Sequence, residues 1–269
     1  MVRRETKSFQ QFFKEEKYLS LKNYLYNYLL RKRAVKKCLK NDRPELMLEV
    51  GSGISPLIAD TGNIVYSDIS FEAISILKQT RARGYYVVAD GTQLPFKANT
   101  YSHVICSEVL EHLKNDRNVI VEIFRILKKP QGFLVVTVPH RKRYFGYDDR
   151  YVKHYRRYEL REIKERLRSA GLQPIFIQKV LGPLEKITML LVVFLFAIFK
   201  RDNPAQMTDG PALRLRRIDL MILVIKWANQ FYQGYVWLDA KIMPLSFSTV
   251  ILIKSKVSHE GCKSYDTAN

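Results

Sequence analysis

From Glu45 to Val138 the chain alternates short apolar runs with stretches of helical period. The runs at 46–50, 64–67, 85–89, 102–106 and 132–138 are nearly continuous in apolar residues, which predicts strands buried on both faces. The segments at 54–60, 71–80 and 116–128 predict helices, and this alternation predicts βαβ units around a parallel sheet. Lys129-Pro130-Gln131-Gly132 stops the third helix before the fifth strand. Farther on, Tyr158 to Ala170 predicts a helix closed by Gly171, and Pro174 to Val180 a sixth strand.

Outside this block the pattern changes. From Ser8 to Lys40 the residues Phe9, Phe12, Phe13, Leu21, Tyr24, Leu25, Tyr28 and Leu29 recur at three- and four-residue steps, followed by Arg31-Lys32-Arg33 and Lys36-Lys37. One or two basic helices are expected, either packed over the sheet or laid on an anionic membrane surface; an RNA-binding arm is the third reading. Ile187 to Phe199 is interrupted by Thr188 alone and flanked by Lys186 and Lys200-Arg201. Such a helix spans only about 20 Å, short of the ~30 Å hydrocarbon core. Extending it backward buries Glu185 and Lys186, so a transmembrane span is not expected. Ile218 to Trp237 is a second apolar segment, broken by Asp219, Lys226 and Asn229 and rich in Trp227, Phe231, Tyr232 and Tyr235. The pair reads as a helical cap or dimer contact, or as helices that dip into one leaflet around a lipid tail. A soluble cap usually keeps a polar stripe, which favours the second reading.

With 269 residues, 47% of them hydrophobic, the chain can bury the core of one large domain with appendages. Cys38, Cys106 and Cys262 form no Cys-x-x-Cys pair, which argues for a reducing compartment and against a disulfide framework or a cysteine zinc site. The opening Met-Val-Arg-Arg-Glu-Thr-Lys leads into no signal-type apolar core. The expectation is a cytoplasmic protein with peripheral or monotopic membrane association. A net charge of +19 calls for an anionic partner: a membrane surface, a phosphorylated acceptor or, less favoured, RNA. Residues 1–45 hold 13 Lys/Arg against 5 Asp/Glu, and residues 140–168 hold 11 against 5, so the charge is concentrated in two places.

The chemistry is carried by strand ends. Leu46-Met47-Leu48-Glu49-Val50-Gly51-Ser52-Gly53-Ile54-Ser55 runs from an apolar strand into a turn whose glycines let main chain approach a ligand. Tyr66-Ser67-Asp68 and Val87-Val88-Ala89-Asp90-Gly91 each end an apolar run in an acidic residue. These three acidic strand ends resemble the class I S-adenosylmethionine-dependent methyltransferases over roughly Glu45 to Val180. A dinucleotide site uses a similar ribose carboxylate; Ala89-Asp90-Gly91-Thr92-Gln93-Leu94-Pro95-Phe96 separates the two, because it resembles the methyltransferase third-strand motif. The resemblance implies a Rossmann-like α/β fold, a seven-stranded mostly parallel sheet with helices on both faces. It also implies that the glycine loop lies under the methionine part, that Asp68 holds the ribose hydroxyls and that Asp90 contacts the adenine amino group. The cofactor set is then Glu49, Gly51, Ser52, Gly53, Asp68, Ile69, Asp90, Gly91, Ser107 and Glu108. Ser55 departs from the pattern, since many relatives have a third glycine there. The family's seventh, antiparallel strand finds its best match in Ser248 to Lys254. The expected plan is a basic helical arm at 1–44, the core at 45–180, an apolar helical insertion at 181–247, the last strand at 248–258 and a disordered tail at 259–269.

His103 to Leu113 contains Glu108, Glu111 and His112 just after the fourth strand. The string matches the Glu-x-x-Glu-His of quinone-biosynthesis O-methyltransferases and of small-RNA 3′-terminal 2′-O-methyltransferases, which implies Mg²⁺ or Mn²⁺ on Glu108, Glu111 and His112. In the other reading His112 only packs or hydrogen-bonds. His154, after the fifth strand, is the first candidate general base or a fourth metal ligand, and His140 is the second candidate base. Arg141-Lys142-Arg143, Arg156 and Arg157 border the expected substrate mouth and suit a phosphate or acidic sugar headgroup. The expected activity is O-methylation of a lipid-linked or amphiphilic acceptor. The alternatives are metal-assisted RNA 2′-O-methylation and a non-catalytic, membrane-associated adaptor with a vestigial cofactor site.

Overall fold

The structure, a computed structural model, describes residues 25–59, 62–80, 83–190, 229 and 231–258. The start of the basic arm, with Phe9, Phe12, Phe13, Leu21 and Tyr24, lies outside the described residues, as do residues 191–228 of the insertion and the tail from 259.

Seven strands form one sheet in the order β3-β2-β1-β4-β5-β7-β6. They are β1 Met47–Val50, β2 Ile64–Asp68, β3 Tyr85–Val88, β4 His103–Ser107, β5 Phe133–Pro139, β6 Leu172–Leu181 and β7 Val250–Val257. The first five run parallel, with Met47 opposite both Ile64 and His103. β7 lies antiparallel between β5 and β6, so the last strand enters from far along the chain and starts two residues later than the sequence pattern suggests. The helices are α1 Tyr26–Cys38, α2 Phe71–Gln79, α3 Asp116–Ile126, α4 Tyr147–Tyr151 and α5 Leu160–Ser169.

Because side chains alternate along a strand, each run feeds two cores. Leu48, Val104, Leu134, Val136 and Ile251 pack on one face against Val119 and Ile123 of α3 and Ile163 and Leu167 of α5. Met47, Ile64, Tyr66, Ile105, Val135 and Leu252 pack on the other against Tyr28, Leu30, Ala34 and Val35 of α1. The described part of the basic arm is thus a helix docked on the sheet, with Arg33, Lys36 and Lys37 on the outer side.

One expected helix is absent. Residues 54–59 form turns and bends, not the helix predicted at 54–60. The backbone N–H groups that would start that helix are taken by a side chain: the Glu49 carboxylate accepts Leu57 N at 2.8 Å and Ile58 N at 3.3 Å. Pro56 also disfavours helical backbone angles at Ser55 before it.

The two ends of the apolar insertion fold onto the domain. Residues 183–190 and 231–242 are helical. Leu184 N donates to Asp239 Oδ2 at 3.0 Å, Thr188 and Tyr232 share a hydroxyl hydrogen bond, and Tyr232 meets Tyr26 of α1 edge-on at 5.2 Å. Glu185 and Lys186, whose burial was expected to be too costly, are both buried at 7% exposure. The cost is offset by pairing within the protein. Lys186 Nζ reaches Asp148 at 2.6 and 2.7 Å and Asp149 at 3.0 Å, while Arg157 Nε reaches both Asp149 oxygens at 2.8 and 2.9 Å. Burial raises the Glu185 carboxyl above its usual range, so this member need not be fully charged.

Removing one partner of a buried ion cluster strands the others. Lys186→Met should lower the unfolding free energy by about 3 kcal/mol. Lys142→Met, which removes an exposed partner of Glu162, should cost under about 1 kcal/mol. Urea denaturation of both variants checks this, and equal losses would contradict the assignment.

Candidate active site at the carboxyl edge of the sheet

The parallel strands end along one edge, and the acidic strand ends meet there. Gly51 and Gly53 leave β1 at φ +71° and +54°, angles that other residues adopt at a cost. A Cβ on Gly51 would stand 2.3 Å from Val109 Cγ2, so the loop presses against the segment after β4. Gly51 N and Ser52 N donate to Ser67 O at 2.8 and 3.0 Å, continuing the β1–β2 ladder into the loop. Asp68 completes the join: Oδ2 accepts Gly53 N at 2.8 Å and Oδ1 accepts Ser70 N at 2.9 Å, just before α2. Ile69 stands beside it, 38% exposed at the edge. At the end of β3, Asp90 Oδ1 accepts Thr92 N and Thr92 Oγ1, both at 2.8 Å, ahead of Gly91, whose Cα faces Val50 and Val119.

The residues assigned to the cofactor therefore converge. Two buried hydroxyls of the loop, Ser52 Oγ and Ser55 Oγ, have no hydrogen-bond partner in the protein. Orphan polar atoms beside a close-approach glycine turn fit a polar ligand seated on this loop. Glu49, although at the same edge, has its carboxylate turned inward to Leu57 and Ile58, which makes it a support for the loop.

Past β4, Ser107 Oγ shares a 2.7 Å hydrogen bond with Thr137 Oγ1. Glu108 sits at φ +54°, a strained angle for a non-glycine residue. Its carboxylate accepts from Thr137 Oγ1 at 3.1 Å and pairs with Arg31 of α1 at 3.0 Å. This geometry separates Glu108 from the expected metal set. Glu111, His112 and His154 do come together, with ligand atoms within 4.8 Å of one another. Glu111 is fully buried, and neither of its oxygens accepts a hydrogen bond from a neighbouring side chain. Burial, and then the charge of Glu108, push its carboxyl well above the usual range. The His112 and His154 rings meet edge-on at 4.7 Å, and burial followed by His154 lowers the His112 imidazole to about 4.

His154 is the histidine best placed for proton transfer. Nδ1 lies 3.0 Å from Asp149 Oδ1, and Nε2 lies 3.8 Å from Glu111 Oε1. Burial alone would raise the Asp149 carboxyl, but hydrogen bonds from His154 and Arg157 more than offset it and hold the group well below its usual range. An ionised Asp149 fixes the ring orientation. His140 lies elsewhere: it is fully buried, with Nδ1 2.6 Å from Ser248 Oγ. Burial, then Arg141, lowers it to about 4. It is a buried imidazole at the carboxyl end of β5, bonded into the β5–β7 corner.

Three participants were not anticipated from the sequence: Arg31, Thr137 and Asp149. Asp148-Asp149 is an acidic pair inside the basic run 140–168, a signal that was there to be read. Nothing in the sequence distinguishes Arg31 from Lys32 and Arg33.

Residues 48–136 match the family model described as a methyltransferase domain. An uncharacterised protein of Methanocaldococcus jannaschii is 35% identical over 104 residues, covering 38% of this chain and 44% of that protein. The ubiquinone/menaquinone biosynthesis C-methyltransferase of Coxiella burnetii is 29% identical over 115 residues, covering 38% and 46%. The chain thus spans less than half the length of the curated relatives it matches. Among solved structures, an S-adenosylmethionine-dependent methyltransferase of Thermotoga maritima superposes with a TM-score of 0.60 at 15% identity, covering 94% of this chain and all of that one. That likeness concerns the fold.

The two depressed imidazoles make stability depend on pH. His112 and His140 sit near 4 in the folded chain, against about 6.5 when unfolded. The unfolded chain therefore takes up protons first as pH falls, and stability drops between about pH 6.5 and pH 4. His140→Asn, which keeps a partner for Ser248, should flatten that slope in denaturant titrations run across this window. An unchanged slope would contradict the buried, neutral assignment.

Proposed function

We propose that this chain, a class I S-adenosylmethionine-dependent methyltransferase, methylates a hydroxyl of an amphiphilic or lipid-linked acceptor at a membrane surface. S-Adenosylmethionine supplies an activated methyl group on a sulfonium, so the protein's share of the chemistry is alignment and removal of one proton. Asp68 and Asp90 orient the nucleoside, and the loop from Gly51 to Gly53 supports the methionine end. His154 is the base in this reading, its Nδ1 held by Asp149 and its Nε2 3.8 Å from Glu111.

The observation that carries the lipid reading is the helix at 231–242. Phe231, Tyr235, Leu238 and Ile242 recur at steps of four, three and four residues and are 69%, 67%, 45% and 68% exposed. Ile187 and Leu190 of the neighbouring helix add 64% and 46%. Trp237 is flanked by Arg33 at 5.3 Å and Lys241 at 5.1 Å. An apolar stripe bordered by cation-flanked tryptophan suits insertion into the headgroup boundary of an anionic leaflet. No described helix is long and apolar enough to cross a membrane, which agrees with an interfacial mode. The Coxiella relative is named for ubiquinone/menaquinone biosynthesis, and as a methyltransferase to carbon, not oxygen.

Glu111 favours a second reading. A buried carboxylate without hydrogen bonds, beside two imidazoles, fits a divalent cation such as Mn²⁺, and Asp149 on the far nitrogen of His154 is the outer partner that metal-binding histidines use. The metal would lower the pKa of an acceptor hydroxyl. This reading belongs with RNA 2′-O-methylation, which the charge of +19 also suits.

Methyl-labelled S-adenosylmethionine, offered with membrane lipid or with total RNA, separates the two. Label should enter the organic phase and resist chelation. His154→Gln should lower kcat by about 100-fold while leaving S-adenosylhomocysteine binding intact. Chelator-sensitive label in RNA would overturn the lipid reading, and no transfer to either would favour a non-catalytic adaptor.

A further inference from the structure

Lys153 occupies a backbone position that suits glycine. α4 closes in a Schellman turn, with Lys153 N donating to Arg150 O at 3.1 Å and His154 N to Asp149 O at 2.8 Å. The residue at the bend of such a turn is left-handed, and Lys153 has φ +63°. Glycine takes this angle without the Cβ clash that a lysine bears. Arg141 is also left-handed, at φ +67°, but its side chain is tied down by Glu159 and Ser246 O. Lys153 is exposed, and no ion pair among the described residues involves its ammonium. Its side chain therefore does nothing for the turn that glycine would not do better.

Its surroundings point to a ligand. Lys153 adjoins His154, and the His112 imidazole hydrogen-bonds the Lys153 main chain. Segments 111–114 and 153–156 lie against each other here. Tyr155 N donates to Glu111 O at 2.8 Å, Arg156 Nη2 donates to Lys114 O at 2.8 Å, and Lys114 Nζ lies 5.6 Å from the centre of the Tyr155 ring. Their charges are sorted by depth. Glu111, Asp148 and Asp149 are buried, the last two against Arg157 and Lys186. The exposed charges over 111–114 and 147–156 are Lys114, Arg150 and Lys153, all of them cations. A phosphate group carries more than one negative charge on three acceptor oxygens, which suits two ammonium groups brought in by separate segments.

We infer that Lys153 and Lys114 form a phosphate subsite beside His154, so that the acceptor carries a phosphate group near the hydroxyl that is methylated. The inference rests on the methyl-transfer reading and narrows its acceptor class. Arg156 positions Lys114 by holding its carbonyl. A lipid-linked phosphate and a soluble phosphate ester offer the same group to these lysines, and the experiment separates the two sources.

Inorganic pyrophosphate, titrated calorimetrically into the full chain, is the first probe. Lys153→Gly should weaken it by about fivefold or more, and Lys114→Ala by a similar factor. The unfolding midpoint of Lys153→Gly should be unchanged or higher, since glycine relieves the left-handed angle. Lys164→Ala, on α5 and away from His154, should alter binding by less than about twofold. Equal losses in Lys153→Gly and Lys164→Ala would reduce the effect to net charge and overturn the subsite, as would no loss in Lys153→Gly. Methyl-labelled S-adenosylmethionine, offered with the organic and the aqueous extracts of cells at limiting acceptor, is the second probe. Label in the organic phase that falls about fivefold in Lys153→Gly assigns the phosphate to a lipid-linked acceptor. The same fall in the aqueous phase assigns it to a soluble ester. Label that Lys153→Gly leaves unchanged would overturn the subsite and spare the methyl-transfer reading. No label from the wild-type chain, with pyrophosphate binding still dependent on Lys153, would overturn that reading instead.

Discussion

A carboxylate at the end of a buried parallel strand has to be satisfied locally, and in this chain the satisfying groups are the amides of the ligand loop. Asp68 takes Gly53 N and Ser70 N, while Glu49 takes Leu57 N and Ile58 N. Each bond costs the loop a chance at helical structure and returns a fixed path for the backbone. Hydrogen bonds to charged groups are stronger than neutral ones, so these four contacts hold the loop before any ligand arrives. The strand order then places Asp90 and the segment after β4 on either side of that loop. Everything assigned to the cofactor depends on this arrangement.

A second set of buried charges surrounds the histidine proposed as the base. Asp148 and Asp149, at the start of the short α4, are paired with Arg157 and with Lys186. Asp149 orients His154, and Lys186 lies where the apolar insertion begins. The base and the insertion are therefore tied to one carboxylate. Apolar burial alone would not fix the orientation of the helix at 183–190, whereas ion pairs of defined geometry do. The exposed stripe on the helix at 231–242 is carried by the same packing, through Asp239, Tyr232 and Thr188.

The alternation of apolar runs made the sheet legible in the sequence. β1 to β6 lie within two residues of the expected strands at either end, and β7 begins two residues late and runs on to Val257. What failed was the helix at 54–60, because periodicity carries no information about a carboxylate eight residues upstream that captures its amides. The convergence of the residues assigned to the cofactor was legible because they end strands, and strand ends share an edge by topology. The meeting of Glu111 and His112 was legible in their spacing, which also grouped Glu108 with them, but the Glu108 side chain turns to Thr137 and Arg31. His140 follows the fifth strand as expected, but its burial against Ser248, 108 positions away, was not legible. Arg31 pairs with Glu108 across the fold and nothing local marks it, whereas Asp149 was marked only by an acidic pair inside a basic run.

The central claim is that the strand-end carboxylates form a cofactor site built on an already fixed loop. Titrating S-adenosylhomocysteine into the full chain and into Asp68→Asn tests it most directly. Asparagine keeps an acceptor for Gly53 N but loses the charge offered to the ribose hydroxyls. The account predicts binding to the wild-type chain, weakened about 10-fold or more in a variant that still unfolds cooperatively although Ser70 N has lost its acceptor. Equal affinity in both chains would contradict it.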